Sequence, residues 1–167
     1  MFNKTDFENI IWDFLFTYRQ FLLHGFLHKR VSHDAYMANA ATWNTLLLSL
    51  EAGTMLGLTK LLEREKDFGR KFSAVELNEI AKKITNIRNA HLAHNDLSKK
   101  RSEISFLKEN QLTGSELVAM FGALKDRAIQ YQKSLKLHID TQKLFTETQN
   151  NAIHDLDAWL KSFKREL

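Results

Sequence analysis

The chain has 167 residues, six glycines, no proline and no cysteine. The lack of cysteine excludes a disulfide framework, a thiolate zinc site, an iron–sulfur cluster and a cysteine nucleophile. With so few chain breakers, a β-sandwich or barrel would lack its turns. Charged residues make up 26% and hydrophobic residues 44%, as in an ordinary globular chain, and a domain of this length buries roughly 70% of its unfolded surface without a staple.

The net charge is +4, a mild bias toward a polyanionic partner. It is unevenly spread: residues 60–101 hold eleven Lys or Arg against six acids, a local +5. This is either a solvated face with a basic loop or a surface for a polyanion. The N-terminus carries Asp6, Glu8 and Asp13 where a signal peptide wants basic residues. The apolar stretches 14–27 and 46–58 are interrupted by Arg19, Gln20 and His24, and by Glu51. Neither reaches the roughly 20 uninterrupted apolar residues of a membrane span. A cytoplasmic protein with no membrane contact is expected.

In chain order, Thr5-Asp-Phe-Glu8 has the form of a capping box and predicts a helix to about His28. Ten of the 18 aromatic residues lie at or before Trp43, so this end should be substantially buried. A second helix is predicted from Ser32 or Asp34 to about Lys66, with Trp43, Leu47, Leu50, Thr54, Gly57 and Leu61 on one face. Gly53 and Gly57 lie inside it, at a cost of about 1 kcal/mol each, and predict close approach of another helix backbone. Residues 67–71 read as a basic loop. Ser73-Ala-Val-Glu76 is a second capping box; the helix behind it carries Leu77, Ile80, Ile84 and Ile87 on one stripe. Residues 97–112 lack a period and read as loop. Thr113-Gly-Ser-Glu116 is a third capping box, opening a helix that runs at least to Leu144. Asn150-Asn151 predicts a break and a new N-cap, followed by a last helix with Ile153, Leu156, Leu160, Phe163 and Leu167 on one stripe. The fold class is all-α, a four- to five-helix up-and-down bundle over 1–149 with a C-terminal helix, 150–167, packed on the bundle or on a partner.

Reactive side chains crowd together in Ile87-Arg-Asn-Ala-His-Leu-Ala-His-Asn-Asp96. On a wheel of 100° per residue with Arg88 at 0°, the apolar stripe lies between about 260° and 340°. His91, at about 300°, falls inside that stripe and reads as a core histidine. Arg88 and His94 (about 240°) flank it, where a groove or a subunit seam would open. If the helix ends near His91, His94 is free to turn toward Arg88. The bland alternatives are a surface salt bridge for Arg88 and a dipole-favoured C-terminal residue for His94.

This segment resembles the active-site motif of HEPN domains: an arginine (Arg88), a polar residue (Asn89) and, five intervening positions after the arginine, a histidine (His94). The wider string Ile-Arg-Asn-x-x-x-Ala-His-Asn-Asp is similar to the AbiU-type, abortive-infection branch, and the resemblance extends loosely over residues 1–147. It implies a helical bundle that dimerises with the two motifs facing each other. It also implies a metal-independent endoribonuclease of toxin–antitoxin or phage-defence type, needing no cofactor. In that chemistry the ribose 2′-hydroxyl attacks the adjacent phosphate. His94 would serve as general base or acid, Arg88 would bind the phosphate, and Asn89 would hold either in place. Lys82, Lys83, Lys99, Lys100 and Arg101 would supply further phosphate contacts. The implied partners are an RNA substrate, a second copy of the chain and a protein antitoxin. Against this stands a non-catalytic helical module for dimerisation or partner binding. A di-metal oxidase is disfavoured, because no glutamate is followed by histidine three residues on. The pairs His24/His28 and His91/His94 lack a carboxylate at helical spacing to complete a zinc set.

Overall fold

The structure, a computed structural model, describes residues 4–64, 68, 71–93 and 110–163, with backbone alone at 33–35, 90–93 and 163. The described residues form helices and no strand: α1 (Lys4–Arg30), α2 (His33–Ala38), α3 (Ala40–Glu63), α4 (Val75–Ala93), α5 (Gly114–Ser134) and α6 (Thr141–Phe163). This is the expected all-α bundle. α1 is its centre, packed on α3, α6 and α5, while α4 bridges α3 and α5.

The principal core gathers Phe7, Ile10, Ile11 and Phe14 of α1, Leu58 and Leu61 of α3, Ile80 and Ile84 of α4, Met120 and Leu124 of α5, and Phe145 of α6. Phe14 stands at its middle, edge-on to Phe145 at 4.7 Å between centroids and stacked near Phe121 at 6.0 Å. Such pairs add about 0.5–1.5 kcal/mol each beyond area burial. A second cluster forms where Leu27, Trp43 and Leu156 meet, with Trp159 edge-on to Trp43 at 5.6 Å. Of the aromatics up to Trp43, Phe7, Phe14 and Trp43 are buried and Tyr18, Phe21, Phe26 and Tyr36 half-buried, while Trp12 and Phe16 are 68% and 66% exposed, so the expected burial holds only in part.

α1 and α3 run antiparallel: Asp13 takes both Lys60 and Arg64 at 3.0 Å, while Thr17 and Gln20 face Gly57 and Gly53. The glycines admit side chains of α1, where the sequence suggested a neighbouring backbone. A Cβ on Gly57 would stand 2.9 Å from the Cβ of Thr17, a stiff β-branched residue that is 2% exposed. Gln20, by contrast, meets the space above Gly53 with its flexible amide. By length and mean hydropathy (1.3), α3 is the one described helix that would suffice to cross a membrane, a point that the interrupted apolar stretch did not suggest. Within the bundle its inner face is taken by α1 and α4.

Three boundaries differ from expectation. The helix predicted from Ser32 or Asp34 is broken at Asn39, whose φ of −137° leaves the helical region, and Tyr36 donates to Asn44 across the break at 2.6 Å. The helix after Thr113 ends at Ser134, short of Leu144. There Lys136 adopts a left-handed φ of 51°, and Asp140 Oδ1 accepts the amide of Lys143 as α6 begins. The strong helix formers around this turn hid it. Conversely, α6 passes unbroken through Asn150-Asn151, inside which the 149/150 boundary falls. Both asparagines are exposed, each costing less than about 0.7 kcal/mol, and burial of Phe145, Ala152 and Leu156 on one stripe outweighs them. Arg19 and Arg30 of α1 also pair with Asp155 and Asp157 of α6.

The caps behave unequally. Thr5 lies inside α1, so the first box is not an N-cap, and Glu8 instead faces Lys4 at 3.8 Å. At the start of α4, Asn78 closes the turn by accepting the Phe72 amide and donating to the carbonyls of Phe72 and Ala74. The third box is complete, with Thr113 and Glu116 exchanging bonds with each other's amides.

Gly57→Ala should lower the melting temperature despite alanine's helix propensity, because overpacking at roughly 1–3 kcal/mol exceeds the gain of about 1 kcal/mol. Gly25→Ala, with open space around the site, should raise it; thermal unfolding by circular dichroism reads both. Burial and the neighbouring His28 hold the His24 imidazole below its ordinary value of 6.5, against an upward pull from Glu51. The folded state therefore binds this proton less readily than the unfolded chain, so stability should fall as pH drops through 6.5. Urea unfolding from pH 7.5 to 5 should show a shallower loss for His24→Gln than for the parent.

Candidate functional site

α4 delivers the site. Ile80 and Ile84 anchor it in the core, with Leu77 and Ile87 half-buried beside them. That anchoring sets the rotation of the helix, and Arg88 emerges at the flank of the stripe as its spacing predicts. Its side chain is 30% exposed. One guanidinium nitrogen, Nη1, donates to Glu63 Oε1 at 2.7 Å and to Asn89 Oδ1 at 3.2 Å. Asn89 is itself exposed. Among the described residues Glu63, at the C-terminal end of α3, is the acidic partner of Arg88. Its side chain is 47% exposed, and such a surface pair is worth about 0–1 kcal/mol.

His94, Lys99, Lys100 and Arg101 lie outside the described residues, as does the side chain of His91. Of the two remaining lysines, Lys83 reaches Glu116 at 2.7 Å and the Gln111 carbonyl at 3.3 Å. It fastens α4 to the capped start of α5, and together with the Thr113 amide it holds the Glu116 carboxyl below its ordinary 4.5. Its charge is already answered. Lys82 points to solvent and has no acidic partner among the described residues.

Beside the Arg88–Glu63 pair a groove of about 380 Å³ opens between α3 and α4, lined by Leu62, Glu63, Lys71, Phe72, Lys82 and Asn86 among others. Glu63 is common to both features. Phe72 is half-buried, with the Arg127 guanidinium 4.1 Å from its ring centroid. Asn86 donates to Asn110 at 2.9 Å, joining the groove wall to the chain before α5. Glu63, Lys71 and Phe72 carry no signal in the sequence that marks them for this place. They come from α3 and from the segment before α4, and no spacing rule links them to residue 88. A hydrophobic Phe72 one residue before the Ser73 box was the only available hint.

No group of three or more His, Asp or Glu side chains forms a metal-ligating cluster among the described residues. His24 and His28 lie edge-on, 4.8 Å between ring centroids, on α1. At Arg88 a partly exposed guanidinium is paired with one acidic partner among the described residues, Glu63.

Glu63→Gln should leave thermal stability within about 1 kcal/mol of the parent. It should also raise the apparent affinity for a non-cleavable oligoribonucleotide in fluorescence anisotropy, an effect that Arg88→Ala in the same background abolishes. Unchanged or weaker binding would mean that Glu63 does not compete for Arg88. Compared with family models, with curated proteins and with solved structures, the chain matches none.

Proposed function

We propose that the chain is a metal-independent endoribonuclease of the HEPN type, acting as a homodimer in a toxin–antitoxin or phage-defence setting. The observation that carries this reading is Arg88: partly exposed, hydrogen-bonded to Asn89 and paired with Glu63, itself a residue of the groove lining. The nuclease motif needs its arginine in such a place.

In the proposed reaction the ribose 2′-oxygen attacks the adjacent phosphorus. The P–O2′ bond forms, the P–O5′ bond breaks, and the products are a 2′,3′-cyclic phosphate and a 5′-hydroxyl. One imidazole takes the 2′-hydroxyl proton and another gives a proton to the departing 5′-oxygen. An imidazole with an ordinary value near 6.5 suits either task. Two copies of His94, one from each subunit, would fill the two roles. Arg88 offsets the charge that gathers on the equatorial oxygens, and its planar fork can hold two of them. A guanidinium in this role needs no metal ion.

One observation favours the second reading, a non-catalytic dimerisation or partner-binding module. Trp12 and Phe16 stand exposed one turn apart on α1, and Leu48 and Leu56 are exposed on α3. If they join into one patch, such apolar groups would suit contact with another chain. The homodimer is common to both readings.

Purified protein incubated with total RNA in EDTA should cleave it, leaving 2′,3′-cyclic phosphate ends. Arg88→Ala and His94→Ala, folded by circular dichroism, should each slow cleavage by at least about 10²-fold. Equal and complete survival of the RNA with all three proteins would leave the binding module as the function.

A further inference from the structure

The groove beside Arg88 has a chemistry of its own. Its floor is apolar, from Leu62, Phe72 and Ala81. Its rim carries Lys71 and Lys82, both exposed and without an acidic partner among the described residues. The one acid in the lining, Glu63, is paired with Arg88; with Arg88 turned to a phosphate, the two lysines still outnumber that acid and the lining stays net positive. At about 380 Å³ it sits near the lower end of the roughly 300–1,000 Å³ of small-ligand sites. That is room for one nucleoside.

We infer that this groove is a subsite for single-stranded RNA: one splayed nucleotide lies on the apolar floor and its flanking phosphates are held by Lys71 and Lys82, next to the phosphate held by Arg88. The inference rests on the ribonuclease reading for the identity of the strand, and it adds a surface that the Arg88–Asn89–His94 motif does not include. Three features select this occupant. The two lysines, without an acidic partner among the described residues, favour an anionic occupant over an apolar one. The apolar floor under a charged rim matches a base with its phosphates, the arrangement by which unpaired strands are held. The volume of about 380 Å³ suits a single nucleotide of an unpaired strand. The Arg127 guanidinium lies 4.1 Å from the Phe72 ring centroid and also donates to the Phe68 carbonyl.

The test uses the full chain and a fluorescein-labelled 2′-O-methyl oligouridylate, which cannot be cleaved because its 2′-oxygen is blocked. Anisotropy titrations between 50 and 200 mM salt compare the parent with Lys71→Ala/Lys82→Ala and with Lys29→Ala/Lys161→Ala, the last pair lying in the final turns of α1 and α6. The groove variant should bind at least tenfold more weakly, and its slope of log affinity against log salt should be shallower by about 1.4, two contacts at about 0.7 each. The control pair should change neither quantity. Equal behaviour of the two double variants, or no binding by the parent, overturns the subsite. Cleavage of unmodified RNA by the same proteins separates the two proposals. Cleavage that needs Arg88 but ignores Lys71 and Lys82 removes the subsite and keeps the nuclease. Salt-sensitive binding that needs both lysines, with no cleavage, keeps the subsite and removes the nuclease.

Discussion

The seam between α1 and α3 sets the register of the bundle. Gly57 has no side chain, so Thr17 can press against α3 where any larger residue would collide. Asp13 then draws Lys60 and Arg64 to one carboxylate and fixes how far α3 slides along α1. These contacts fall in the last turns of α3, and they decide where Glu63 ends up. Glu63 meets Arg88 because α3 stops at that level and α4 crosses it there. A steric allowance in one helix pair thus sets the position of a charged pair between two others. The chain accepts the helix penalty of glycine in exchange for that closeness, which is a packing logic and not a flexibility one.

Two ion pairs on α4 show why position, and not residue type, separates structure from function. Lys83 and Glu116 belong to a network that includes a capping box and a backbone carbonyl, and replacing either partner would strand the others. Among the described residues Arg88 and Glu63 belong to no such network: the carboxylate is nearly half exposed, and the arginine also donates to the neighbouring Asn89. Solvent screens the second pair strongly and the first one less. A ligand phosphate, with more negative charge and a geometry matched to guanidinium, can replace a carboxylate in that setting. The same reasoning places Lys83 in a structural network and leaves Lys82 exposed, without an acidic partner among the described residues.

Local signals were legible in the sequence and distant ones were not. The Thr113–Glu116 box is complete within four residues, so its chemistry could be read without knowing the fold. The stripe of Leu77, Ile80, Ile84 and Ile87 told which way α4 faces, and with it that Arg88 would stand at the edge of the core. The turn at 135–140 was missed because it is made by a lysine in a left-handed conformation, a choice that composition does not announce. The false break at Asn150-Asn151 came from weighing local propensity above the burial that α6 gains on α1. Glu63 was invisible as a partner because 25 positions separate it from Arg88 and only the helix crossing unites them. Phe72 was likewise passed over as an apolar residue before a cap, although it lines the groove.

In the proposed nuclease, Arg88 exchanges the Glu63 carboxylate for an RNA phosphate. A crystal structure of the His94→Ala protein with an oligoribonucleotide blocked at its 2′-positions would show whether it does. A phosphate oxygen is expected within about 3 Å of the Arg88 guanidinium, with Glu63 turned away from it. An Arg88 still seated on Glu63, with the strand bound on a different face of the bundle, would refute the exchange.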